Sequence, residues 1–294
     1  MSKPMSQPAA LLSAVPVPFN ANGDLDVKGQ ETLLRHLKDT GIGGVFIAGT
    51  TGEFTALDDD ERALVLTAAL EVFGADAVYT HVGAAAARQA ESLTAQAVAL
   101  GARNLAAITP FYLPVGPAAL LDYYRRLDAV AGDARIYVYL FAARTGSVVT
   151  PDQLAELAEI PSVAGAKISG EPNARVLQYV RAVPAGFEVF SGNDVEFGDF
   201  VRAGGTGAVS GVSSVFPRPF LELADALQRS DDQAAAVAQD RIKQAVEAVN
   251  GADIALIKAG LAMQGLPAGP TRVALDGPTP AQRETLRTAV QELT

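Results

Sequence analysis

Gly44-Val45-Phe46-Ile47-Ala48 opens the stretch, residues 44–82, on which the fold turns. The run is short and apolar, as a strand covered on both faces requires. Asp58 then precedes Asp59-Asp60-Glu61, an N-cap followed by acids that suit the positive end of a helix. The pattern predicts a helix over 59–73 stopped by Gly74, and a second apolar run, 77–82, follows. Strand, helix and strand in that order call for a parallel pair joined by a right-handed crossover.

Working outward, the same unit recurs. Strands are predicted at 11–17, 44–48, 77–82, 104–108, 135–140, 163–168, 187–191 and 208–212. Helical segments separate them, among them 27–40, 59–73, 87–100 and 117–130, and an eighth follows at 219–229. Thr150 before Pro151-Asp152 is a further cap, and Gly41 and Gly101 end helices as Gly74 does. Eight such units predict a (β/α)8 TIM barrel. An open doubly wound sheet is the other arrangement considered, and no G-x-G-x-x-G follows the first strand to support it. Segments near 233–249, 253–264 and 280–293 are helical without strands. The expected organisation is a barrel over 1–230 and a C-terminal helical subdomain over 231–294 packed on it.

Composition narrows the function. The chain has 294 residues, 49% hydrophobic, with a formal net charge of −10 and a pI of about 4.7. No basic patch is visible, so neither nucleic acid nor an anionic membrane is an expected partner. Cysteine is absent, which excludes disulfides, thiol nucleophiles and zinc-thiolate sites. The two histidines, His36 and His81, have no carboxylate spacing that suggests a metal, and no G-x-S-x-G supports a serine hydrolase. His36 lies in a helical pattern and is expected at a surface or interface. The apolar stretch 9–17 is too short for a membrane span and is broken by Pro16 and Pro18. A cytoplasmic protein without cofactor or metal is expected.

Lys167 is the residue with chemistry to explain. It ends Val163-Ala164-Gly165-Ala166-Lys167-Ile168, a run that reads as a buried strand. The other five lysines, Lys3, Lys28, Lys38, Lys243 and Lys258, fall in the N-terminal tail or on helical segments, where an ammonium is expected to reach water. Burial disfavours the charged form, and a neutral amine is what imine formation with a ketone requires. A lysine reaching out from a strand end, or paired with a carboxylate, is the ordinary alternative.

In a barrel the reactive groups stand at the C-terminal ends of the strands. Those ends carry Gly49-Thr50-Thr51-Gly52-Glu53, His81-Val82-Gly83, Thr109-Pro110-Phe111-Tyr112, Tyr137 and Tyr139 with Arg144 beyond them, Lys167, Ser191-Gly192-Asn193-Asp194, and Ser210-Gly211. The Gly49–Gly52 loop offers N–H groups and hydroxyls for a small carboxylate. Tyr139 can relay protons, and Arg144 can hold a second carboxylate. Singly these read as a capped turn, an interior phenol and a loop salt bridge. Together they describe an amine, a proton relay and carboxylate binders.

With these motifs in this order the chain resembles the dihydrodipicolinate synthase / N-acetylneuraminate lyase family over nearly its whole length, from Val15-Pro16-Val17-Pro18-Phe19 to the C-terminal helices. Gly49-Thr50-Thr51-Gly52-Glu53 matches the family's GTTGE loop, Tyr139 its strand-five tyrosine and Lys167 its Schiff-base lysine, 28 residues further on. Tyr112 matches the second tyrosine of TPYY, Gly192 the glycine of SGDD, and Arg144 the arginine that holds the aldehyde's carboxylate in the synthases.

The resemblance implies a class I lyase that forms a lysine imine with pyruvate or a related 2-oxo acid and makes or breaks a C–C bond to an aldehyde. It implies catalytic roles for Lys167, Tyr139, Thr50 and Tyr112, the last reaching a neighbouring subunit. Thr50 and Thr51 would bind the 2-oxo acid's carboxylate, and Arg144, Gly192 and Val209 would line the substrate site with Thr51. It also implies a homotetramer built as a dimer of dimers. The synthase segment YNVPxRTG is here Tyr139-Leu140-Phe141-Ala142-Ala143-Arg144-Thr145-Gly146, a more apolar wall, and Ile168 follows the lysine where synthases have Glu. His81-Val82-Gly83 and Phe111 replace the residues of the lysine-feedback region. Alternatives that remain are 4-hydroxy-tetrahydrodipicolinate synthase proper, a dehydratase of a 3-deoxy-2-oxo sugar acid, a barrel that binds a 2-oxo acid without turnover, and a barrel enzyme of unrelated chemistry.

Overall fold

Eight short strands, buried over most of their length, close on themselves in chain order. They are β1 (Ala10–Ala14), β2 (Gly44–Ile47), β3 (Val78–His81), β4 (Asn104–Ile108), β5 (Arg135–Leu140), β6 (Val163–Ile168), β7 (Glu188–Ser191) and β8 (Gly207–Ser210). All neighbours are parallel, and β1 pairs with β8 through Ala10↔Gly207 to Ser13↔Ser210, which seals the barrel. This computed structural model describes residues 10–294. The expectations for Lys3 and for the first nine residues of the barrel unit lie outside them.

Helices α1 (Val27–Asp39), α2 (Asp59–Phe73), α3 (Ala87–Ala99) and α4 (Pro117–Ala131) cover the first half of the sheet. A short α5 (Ala142–Thr145) and α6 (Pro151–Leu157) share the β5–β6 connection, and α7 (Asn173–Ala182), α8 (Phe197–Arg202) and α9 (Pro217–Gln228) complete the ring. Then come α10 (Asp232–Ala248), α11 (Ile254–Met263) and α12 (Pro280–Leu293). Asp58 and Thr150 both form full capping boxes, with Glu61 and Gln153. Gly41, Gly74 and Gly101 all take positive φ just beyond their helices, as stop signals should.

Strand alternation sorts the interior from the shell. Leu12, Ala14, Phe46, Tyr79, Ala106, Ile108, Tyr137, Tyr139, Phe190 and Val209 form one buried cluster inside the barrel. The intervening residues, such as Val45, Ile47, Leu105, Val138, Ala166 and Ile168, belong to the larger cluster under the helices. Gly165 makes room in the inner layer, because a Cβ there would lie 2.6 Å from the Tyr137 ring. Tyr137, Glu188 and Arg135 then plug the lower end, with the Tyr137 hydroxyl donating to Glu188.

Two strands end two or three residues before the sequence reading, while every other strand limit agrees within one residue. β1 stops at Ala14, before Pro16 and Pro18, whose missing N–H groups cannot extend a ladder. β8 stops at Ser210 because its hydroxyl accepts from Ser213 N–H, 3.0 Å away, and starts a tight turn over Val212–Ser214. Among the described residues no helix is long and apolar enough to cross a membrane.

Candidate active site

Register brings the central groups to one level. Tyr139 pairs with Lys167, and Lys167 with Phe190, so all three project inward from adjacent strands. Lys167 is buried, with Nζ 4.2 Å from the centroid of the Phe46 ring and 4.4 Å from that of Tyr139. Among the described residues no carboxylate reaches it to ion-pair distance. Burial pulls its pKa below the ordinary lysine range, and the Tyr139 hydroxyl and the more distant Asp194 oppose that shift only in part. The sequence expectation of a strand lysine deprived of water is therefore met in the geometry.

Above Lys167 a cavity of about 640 Å³ opens at the C-terminal end of the barrel. Thr50, Thr51, Tyr139, Arg144, Lys167, Gly192 and Val209 all line it. Thr50 Oγ1 and the Tyr139 hydroxyl share a hydrogen bond of 3.2 Å. Among the described residues the N–H groups of Thr50 and Thr51 have no hydrogen-bond partner, which leaves two donors at the loop. The loop is bounded by Ala48 and Glu53, both in the left-handed region at φ 49 and φ 53. Gly211 lets Thr51 sit close, since a Cβ there would fall 2.9 Å from the Thr51 hydroxyl. Gly192 meets Ser169 in the same way, at 2.4 Å.

Arg144 is exposed at the rim, stacked at 5.7 Å on the Phe141 ring, and is in no ion pair among the described residues. The loop salt bridge that is an arginine's ordinary fate is not what this one makes. Phe54, Phe111 and Phe141 give the cavity an aromatic side, and Ile254, Val273 and Leu275 give it an aliphatic one. Gly170 at φ 74 is needed for this wall, because a Cβ there would lie 2.9 Å from the Phe141 ring.

The fold leaves Tyr112 outside. It is 89% exposed at φ 75 and does not line its own chain's cavity, whereas its neighbour Phe111 does. Tyr137, named among the polar groups of strand five, lies in the lower part of the barrel, its ring 4.9 Å from that of Tyr79. His36 is half-buried on α1. His81 is fully buried, accepting from Ile108 N–H at 3.2 Å, and burial together with the Arg62 and Lys167 charges holds it well below the ordinary histidine range.

Two groups gained no role from sequence. Asp194 lines the cavity with one oxygen accepting from Ser210 Oγ at 2.8 Å and the other unpartnered. Burial pushes its pKa up to about 7, against the Ser210 bond and the Lys167 charge. Lys258 corrects an expectation outright. It is 2% exposed and meets Glu53 at 2.5 Å instead of reaching water from its helix. One signal was available: Lys258 is the single charged residue of α11, Ile254–Met263. Among the described residues no group of three or more His, Cys, Asp or Glu side chains is placed to hold a metal ion.

Comparison with known proteins agrees with this architecture. A family model described as "Dihydrodipicolinate synthetase family" matches residues 7–293. An uncharacterized DapA-like lyase of Halobacterium salinarum is 33% identical over 94% of this chain and 90% of its own length. The solved 4-hydroxy-tetrahydrodipicolinate synthase of Methylacidiphilum fumariolicum SolV superposes with a TM-score of 0.90 at 26% identity, covering 97% of this chain and 95% of that one. YagE, a prophage protein of the dihydrodipicolinic acid synthase family from E. coli solved with pyruvate, has a TM-score of 0.89 at 25% identity, covering 97% and 98%.

Proposed function

This chain belongs to the dihydrodipicolinate synthetase family, and from that premise and the geometry of the barrel mouth we propose that it is a class I lyase acting on pyruvate or a related 2-oxo acid and an aldehyde. The observation that carries the reading is Lys167: a buried amine without a counter-carboxylate, facing a cavity beside the Tyr139–Thr50 pair. The pyruvate complex of YagE supports the choice of 2-oxo acid.

The Lys167 amine adds to C2 of the 2-oxo acid, and loss of water from the resulting carbinolamine gives the Schiff base. The free N–H groups and hydroxyls of Thr50 and Thr51 take the carboxylate. The iminium withdraws electrons from the C2–C3 region, so a proton leaves C3 and an enamine forms. C3 then bonds to the aldehyde carbon while the aldehyde oxygen takes a proton, and water hydrolyses the imine to release product. Tyr139 moves these protons, with Thr50 holding its hydroxyl. Cleavage is the same sequence reversed. Arg144 takes an acidic group on the aldehyde, and Gly192 and Val209 shape the floor for it. The replacement of the synthase Asn and Pro by Leu140 and Ala142 favours a partner other than the synthase's own aldehyde.

The exposed Tyr112 fits a site completed by a neighbour, and with it a homotetramer arranged as a dimer of dimers. Residues 231–294 act as a helical subdomain on the barrel of 1–230. The protein works in the cytoplasm on small molecules alone, without cofactor, nucleic acid or membrane. The test is borohydride reduction in the presence of pyruvate followed by peptide mapping. A reduced adduct on Lys167, and none on Lys258, is expected. A folded protein that gives no adduct on Lys167 refutes imine chemistry.

A further inference from the structure

Val273 and Leu275 form part of the outer wall of the cavity, although they lie far along the chain from the strand ends. Their segment is fastened to one residue of the carboxylate loop. Glu53 holds a left-handed backbone, φ 53 and ψ 41, and its own N–H donates to Thr50 O at 3.0 Å. One oxygen of its buried carboxylate accepts from the N–H groups of Arg272, at 2.7 Å, and Val273, at 2.9 Å. The other meets Lys258 Nζ at 2.5 Å. Lys258 also donates to Pro270 O at 2.7 Å.

Arg272 extends the fastening. Its guanidinium reaches Glu61 with two nitrogens at 2.6 Å, and the carbonyls of Gly23 at 2.6 Å and Ala56 at 2.9 Å. Both cations lie against the Phe19 ring, 4.3 Å from its centroid for Lys258 and 4.2 Å for Arg272. Gly269 lets the strap pass, since a Cβ there would fall 1.8 Å from Phe19 O. Apolar contacts would hold a strap at lower desolvation cost than a buried ion pair. What charge adds is direction: a carboxylate with two N–H donors and an ammonium converging on it has one place to be.

We infer that Glu53, with Lys258 and Arg272, is a positioning device for the 2-oxo acid site, holding the Thr50–Thr51 loop and the 269–275 strap as one body. This rests on the proposed role of Thr50 and Thr51 as carboxylate binders. Coupling of this kind is reciprocal, so a ligand that tightens the loop also tightens the strap.

Two measurements test it. In the wild-type protein, saturating pyruvate slows hydrogen exchange of the peptide carrying the Arg272 and Val273 N–H groups several-fold. In Glu53→Ala/Lys258→Met, which removes acceptor and cation together, half-maximal borohydride trapping needs about tenfold more pyruvate while the extent at saturation is kept. Glu53→Gln/Lys258→Met retains an acceptor for both amides and returns the half-saturation to within about threefold of wild type. Strap exchange indifferent to pyruvate overturns the inference, and so does wild-type half-saturation in a folded Glu53→Ala/Lys258→Met protein. If that variant does not fold, the exchange measurement decides alone. Absence of any Lys167 adduct in the wild type refutes imine chemistry and this inference with it, whereas an adduct with an unresponsive strap removes this inference only.

Discussion

Lys167 and Lys258 are both hidden from solvent, at 6% and 2% exposure, yet their surroundings differ in one decisive way. Lys258 stands 2.5 Å from a carboxylate that two backbone N–H groups hold in place. Lys167 faces aromatic rings and an open cavity, and the carboxyl that influences it, Asp194, is itself raised to about 7. Burial lowers both amines, and at Lys258 the adjoining Glu53 carboxylate opposes that lowering in part. Seclusion alone therefore does not set a buried lysine's chemistry: one of these amines has a committed counter-charge, and the other has none at ion-pair distance among the described residues.

The sharpest way to break this contrast is to remove the free amine. Lys167→Met abolishes the borohydride adduct, a loss of more than about 10⁴-fold in trapping rate, and leaves Lys258 unmodified by mass mapping. It also raises the melting temperature at pH 7. With its pKa lowered in the folded state, Lys167 binds fewer protons there than in the unfolded chain below the ordinary value of 10.5. Its penalty is therefore largest at low pH and fades as pH rises toward 10.5, so the melting gain of the variant shrinks over the same range.

Removing the counter-charge of the other lysine comes next. Glu53→Gln leaves Lys258 buried without a partner and destabilises the protein by about 3–5 kcal/mol in urea unfolding. Replacing both, as Glu53→Gln/Lys258→Met, recovers most of that loss, because no uncompensated charge remains.

Asp194→Asn sharpens the comparison from the carboxyl side. A folded pKa near 7 against an ordinary 3.8 means that the folded state holds its proton longer than the unfolded one. Stability from this group is full below pH 3.8 and is lost as pH rises through 7. The amide variant is therefore more stable than wild type by on the order of 4 kcal/mol at pH 8, and equal to it below pH 3.8, by thermal denaturation at both ends.

The smallest effect belongs to the third cation of the site. Arg144, exposed and in no ion pair among the described residues, touches the proposed imine chemistry only through the aldehyde. Arg144→Ala weakens an acidic aldehyde about tenfold in KM and leaves the pyruvate dependence of trapping unchanged. An equal loss for both substrates would make Arg144 a structural residue.

Much of this molecule was legible before folding was considered. β4, β5 and β6 fall where the apolar runs at 104–108, 135–140 and 163–168 place them, because each run is bounded by polar or turn-forming residues. Lys167, Tyr139 and Thr50 were legible for a related reason. Each stands at the end of a strand, and a barrel converts strand ends into one mouth. The limits of β1 and β8 were less legible, since prolines and serine hydroxyls redirect the backbone inside stretches that still look apolar. Tyr112 carried a motif, but its exposure follows from a loop conformation that no local pattern announces.

By itself the sequence determined the period of strand and helix, hence the barrel, and the order in which reactive residue types arrive at its mouth. Tertiary structure alone decided which charges meet. Glu53 and Lys258 are 205 positions apart, and α11 reads as an ordinary helix whose lysine could face water. Their pairing depends on how the C-terminal segment lies across the barrel end, and so does the difference between a paired buried lysine and one that faces a cavity. Periodicity is written in neighbouring residues, whereas the field at a buried amine is set by whatever the fold brings within a few ångströms of it.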